Sequence, residues 1–133
     1  MANAIYRKYK EALLSGDTDI SLTSGTVKIS IMNSNYVFNV DDEFYSDISA
    51  GVVDTETFTD ITVINGVFKA SDISFDAVPD DSECVSIVIW IDTSNPATSR
   101  LVCFMDVNVV GLPLVADGTP VDLTFNTSGI FQL

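Results

Sequence analysis

Thr26-Val27-Lys28-Ile29-Ser30-Ile31 alternates polar and apolar side chains residue by residue, as a β-strand does when successive side chains point to opposite faces. Period two then persists to the end of the chain. Asn33-Ser34-Asn35 reads as a turn into Tyr36-Val37-Phe38-Asn39-Val40, so residues 26–31 and 36–40 are expected to pair as a hairpin. From Asp41 to Ile48 the carboxylates come first and Phe44 and Ile48 stand four apart, which predicts one helical turn pinned to the core. Further strands are expected at residues 58–64, 66–70, 73–75, 107–110, 121–125 and 129–133. Leu112-Pro113-Leu114 and Asp117-Gly118 should break the pattern.

The most apolar segments are residues 85–91 and 101–105, which offer little contrast between their two faces and so read as central strands covered on both sides. Asp92 to Ser99 has the composition of the turn between them. Pairing across that turn brings Cys103 opposite Ile89 and leaves Cys84 elsewhere. The two cysteines are therefore expected to be free, packed thiols.

Before Thr26 the period is helical. Ile5, Tyr9 and Leu13 recur at four-residue steps with Ala12 beside them, Asn3 can cap the start, and Gly16 can end the helix. Arg7, Lys8 and Lys10 fall off that apolar stripe and should face outward. Many short strands with one helix predict a mainly β chain, an antiparallel β-sandwich of jelly-roll or Ig-like type with an N-terminal amphipathic helix. The expected organisation is a single domain over 1–133, with the helix in 1–16 and the sandwich in 17–133.

Charge is unevenly placed. Residues 1–10 carry +3 and residues 11–133 carry −16, which together give the net charge of −13. So acidic a body repels phosphate backbones, which argues against nucleic acid as a partner. The longest apolar run, Ile87 to Ile91, is too short to span a bilayer, and Tyr9-Lys10-Glu11 interrupts the stretch that a secretory signal would need. Synthesis in the cytoplasm is the expectation, with no membrane partner. Asn126-Thr127-Ser128 then matches a glycosylation acceptor only by accident. Apolar residues make up 47% and mean hydropathy is +0.31, high enough to expect some apolar surface to be covered by neighbours.

There is no histidine, which removes the commonest general base, most zinc sites and the usual serine or cysteine nucleophile pairs. Cys103 lies in an apolar strand, and Glu83 beside Cys84 opposes its ionisation. Among 19 acids no pair stands out for glycoside chemistry. Asp17-Thr18-Asp19, Asp41-Asp42-Glu43 and Asp80-Asp81-Ser82-Glu83 are oxygen-rich, but none has the spacing of a helix-loop-helix calcium site. The chain is expected to be no enzyme and to need no cofactor or metal.

Met1-Ala2-Asn3-Ala4-Ile5-Tyr6, Tyr9-Lys10-Glu11-Ala12-Leu13-Leu14, Glu43-Phe44-Tyr45-Ser46-Asp47, Gly66-Val67-Phe68, Ala97-Thr98-Ser99-Arg100-Leu101 and Gly111-Leu112-Pro113-Leu114 occur in this order. Taken with Thr26 to Ile29 and the ending Ile130-Phe131, they resemble a family of small virion structural proteins of tailed bacteriophages. Asp42 departs from the family pattern, which would have a histidine before Glu43. The resemblance implies a head decoration or cement protein located in the virion and made in the host cytoplasm. Its partners would be the major capsid protein and other virion proteins, with homo-oligomer contacts as a further class. A tail-tip or fibre-associated binding module is the alternative. Partner contact is expected at Ile5, Tyr6, Arg7, Lys8, Tyr9 and Lys10, and deleting residues 1–14 is expected to leave a folded body that no longer joins particles.

Overall fold

A computed structural model describes residues 4–18, 20–76, 78–106, 112–125 and 128–132. Its centre is a five-stranded antiparallel sheet of β1 (Ala4–Ile5), β2 (Thr26–Met32), β3 (Val52–Thr57), β8 (Ser86–Asp92) and β9 (Leu101–Met105), in the order β1-β9-β8-β2-β3. Smaller antiparallel sheets surround it. β4 (Thr62–Ile64), β5 (Val67–Lys69) and β12 (Phe131–Gln132) form one, β6 (Ile73–Phe75) pairs with β11 (Val121–Leu123), and β7 (Glu83–Cys84) pairs with β10 (Leu114–Val115). The result is a mainly β, sandwich-like fold of several antiparallel sheets that do not close into a barrel.

β8 lies in the middle of the large sheet because every residue from Ser86 to Ile91 can be, and is, buried. One face carries Val27, Ile29, Ile31, Ile87, Ile89, Ile91 and Cys103, which share a continuous apolar cluster with Phe58, Phe68, Ile73, Phe75 and Leu123 from the smaller sheets and their connections. Full burial of each such side chain contributes about 1.5–3 kcal/mol relative to exposure. On the other face stand Ser30, Val88, Trp90 and Phe104. The connection from β2 to β3 covers it, with Tyr45 4.3 Å from Trp90 and Phe38 4.7 Å from Phe104, ring centre to ring centre.

Cys103 pairs with Ile89 in the β8–β9 ladder as expected, while Cys84 pairs with Leu114, and both thiols are free and buried. The expected hairpin of residues 26–31 with 36–40 does not form. β2 pairs instead with β3 and β8, and 36–40 lies outside any ladder. Its alternation has another cause: Tyr36 and Phe38 turn inward onto Phe104 while Val37 stays exposed. The turn at 33–35 does form, closed by the Asn35 N–H on Asn33 Oδ1 at 2.9 Å. Tyr45–Asp47 forms the expected helical turn, of 3-10 type, and Ile48 is buried behind it.

β3 has no counterpart among the expected strands, which resume at Phe58, a residue that follows β3 and is buried. Asn65 and Gly66 both take positive φ, 54° and 77°, so β4 and β5 join through the two-residue turn that suits strand twist. The strand expected at 107–110 lies outside the described residues, as do Asn3, Asp19, Gly111, Asn126, Thr127 and Leu133.

Candidate functional site

The helix α1 (Arg7–Ser15) is shorter than its periodicity suggests. Ala4 and Ile5 belong to β1, paired with Phe104 and Cys103, and Tyr6 is the residue at which the chain turns from strand to helix. Two competing demands meet here: Ile5 satisfies an edge of the large sheet, so it cannot also head a helical stripe. Tyr9 and Ala12 alone fasten the helix fully to the core, and Gly16 ends it at φ 68°, donating to the Ala12 and Leu13 carbonyls.

Of the six residues expected at a partner contact, Tyr6 and Tyr9 are withdrawn into the subunit, at 0% and 2% exposure. The Tyr6 hydroxyl shares a 2.7 Å hydrogen bond with that of Tyr36, which donates to Asp42 at 2.8 Å. Tyr9 donates to the Ile20 carbonyl. Burial raises both phenols, Tyr9 to about 12. Ile5 is partly buried against the core. Arg7 and Lys10 remain on the outside, and Lys8 is half-buried beside Glu11 at 3.6 Å.

Arg7, Lys10 and Leu14 fall at i, i+3 and i+7 and so share one outward stripe of the helix. Leu14 is 91% exposed, the most exposed large apolar residue described. Its place on the stripe was readable from spacing; its exposure was not, since Leu13 beside it is an equal candidate for the core. Arg7 bonds Asp41 at 2.6 Å, which ties the stripe to the loop before the 3-10 turn.

Several carboxylates of the acidic runs hold the fold together. Asp41 holds Arg7, Asp42 accepts from Tyr36, and Glu43 receives Arg100 at 3.3 Å, while the Arg100 guanidinium also stands 3.7 Å from Asp17 and over the Phe44 ring. Glu83 accepts from the Ser34 N–H. Among the described residues no three histidine, cysteine or acidic side chains gather as a metal site would require. Burial pushes the Cys103 thiol up to about 12, and Cys84 is raised by burial and by Glu83. Neither is activated as a nucleophile.

A second surface feature is a pocket of about 300 Å³ beside the β8–β9 turn, with Lys28, Thr55 and Trp90 of the sheet on one side and Tyr45 and the loop 94–99 on the other. The loop is stitched in place. Asn95 accepts from the Thr98 and Ser99 N–H groups through its carbonyl and from Ala97 through its side chain, and Ser99 Oγ accepts from the Thr93 N–H. Tyr45 is locked to the same loop by its N–H on the Ser99 carbonyl at 2.8 Å, and Ser46 by its N–H on Pro96. At the rim, Lys28 pairs with Asp92 at 3.2 Å. Burial alone would raise the Asp92 carboxyl, but the Ser94 N–H and Lys28 outweigh it and hold it below the usual range.

No family model, curated protein or solved structure matches this chain. Among the described residues, no helix is long and apolar enough to cross a membrane.

Proposed function

We propose that this chain is a non-enzymatic structural protein of a tailed-phage virion, a decoration or cement subunit that binds the major capsid protein on the head shell. The observation that carries the reading is the outward stripe of α1, where Arg7, Lys10 and the 91% exposed Leu14 stand together on a helix whose other side is fixed by Tyr9 and Ala12. A contact surface needs an apolar anchor held rigidly, with charge around it for orientation. Arg7 is already paired with Asp41, but Lys10 adds a cation beside Leu14 on a chain of net charge −13, so an acidic partner surface is favoured here over elsewhere. The ordered sequence resemblance to small virion proteins supplies the setting, and the lack of histidine supports a role without acid-base catalysis.

Cosedimentation with phage heads that lack the subunit tests the reading. The native chain should pellet with heads, and the Lys10→Glu/Leu14→Asp double variant should stay in the supernatant with its circular dichroism unchanged. A native chain that ignores heads, or a double variant that binds as well, refutes it.

A further inference from the structure

We infer that the pocket between Tyr45, Thr55 and the 94–99 loop is a binding site for a neutral pyranose sugar. Its lining charges cancel, because the Lys28 ammonium sits 3.2 Å from the Asp92 carboxylate. The surrounding chain, at −13, disfavours anions. A neutral ligand is what such a pocket accepts.

Three polar groups on residues that line it have no hydrogen bond to another described residue: the Tyr45 hydroxyl, Ser94 Oγ and Asn95 Nδ2. They stand on a loop and a turn already cross-linked by backbone bonds, so little ordering is needed when a ligand arrives. Several donors and acceptors fixed in one small space match a molecule that carries several hydroxyls at fixed angles. The Tyr45 ring and Pro96 add apolar surface for the C–H face of a sugar ring. Trp90, only 6% exposed, backs Tyr45 at 4.3 Å and keeps that ring from turning. A volume of about 300 Å³ is at the small end of ligand sites and suits one ring with its substituents.

Trp90 is the sole tryptophan and lines this pocket, so its fluorescence and its indole N–H signal respond to a ligand bound there. The isolated chain would be titrated with glucose, galactose, N-acetylglucosamine and their methyl glycosides. At least one should give a saturable change at Trp90. Tyr45→Phe keeps the stacking and removes one hydroxyl, and Asn95→Ala removes the amide; each should weaken that sugar roughly three- to tenfold. Tyr45→Phe should also melt at the native temperature. No saturable change with any of these sugars overturns the inference, as does undiminished binding by Tyr45→Phe. An equal response to the open-chain polyol sorbitol, or to a short Ser-Thr-Ala peptide, also overturns it. Sugar binding is read on the free chain, so it stands or falls apart from head binding through α1.

Discussion

Trp90 donates its indole Nε1–H to the Ser30 hydroxyl at 2.9 Å, across the buried join of β8 and β2. The same oxygen bonds Thr55 Oγ1 at 2.7 Å, so one hydroxyl couples three neighbouring strands. Ser30 is 0% exposed. It is a polar residue at an inward position, and its role is to satisfy an indole that would otherwise be buried without a partner.

Ser30→Ala leaves that indole N–H unpaired, and a lost partner for a buried donor costs about 1–3 kcal/mol. Urea unfolding followed by circular dichroism should show a lower midpoint with an unchanged slope. A midpoint equal to the native one would mean that water replaces the hydroxyl.

Removing residues 1–14 should now unfold the protein rather than yield a body that merely fails to bind. The deletion takes β1 from the large sheet and Tyr6 and Tyr9 from the core. Loss of a buried large aromatic side chain costs about 3–5 kcal/mol, which two such losses bring to the scale of a whole domain's stability. The truncated chain should show no cooperative thermal transition. The binding surface must be tested by surface substitutions instead.

The strongest local signals in the sequence were those with one physical explanation. Ile87 to Ile91 is apolar on both faces because both are covered, so its central place and the Ile89–Cys103 register followed directly. Val52 to Thr57 gives no strand signal because Asp54 and Glu56 occupy its inward-leaning positions opposite Ile31 and Ile29. Tyr36 to Val40 misled because a covering segment that buries alternate aromatics has the same period as a strand. The pocket has no local signature for a different reason: residues 28, 45, 55, 90, 92, 94–96 and 99 come together only after three strands, the 3-10 turn and a loop have assembled.

Glu56 pays a desolvation cost. Burial, with Asp54 and Asp76 nearby, raises its carboxyl above the ordinary 4.5, and Lys28 offsets only part of this. The folded chain thus holds this proton more tightly than the unfolded chain. Its contribution to stability is favourable below the ordinary value and is lost as pH rises through the higher folded one. Glu56→Gln should therefore raise the melting temperature at pH 7, by a small amount because solvent screens this partly exposed group. Melting temperatures of the two chains should converge as pH falls below 4.5. A gap that widens at low pH would contradict the assignment.

Neither cysteine should react with a thiol reagent while the protein is folded. Cys103 is 2% exposed with its thiol pushed up to about 12, and Cys84 is 0% exposed with its thiol also raised. Mass counting of adducts should find none in buffer at pH 8 and two in denaturant. Labelling of one cysteine in the native state would reveal local opening of the ladder that holds it.

Gly51 accepts the Asn33 N–H on its carbonyl at 2.9 Å, at the point where the covering segment 33–51 returns to β3. A side chain there has no room: a Cβ would come 2.6 Å from Tyr36 Cβ and 3.0 Å from its backbone nitrogen. Neither atom is the free end of a flexible chain, so the backbone must move, and overpacking of this kind costs about 1–3 kcal/mol. Tyr36 would be pushed from its bond to Tyr6, and that hydroxyl would lose its partner. Gly51→Ala should therefore lower the melting temperature more than Tyr36→Phe, which removes the hydroxyl but leaves the ring in place. Equal melting temperatures for the two variants would show that the turn yields without disturbing Tyr36.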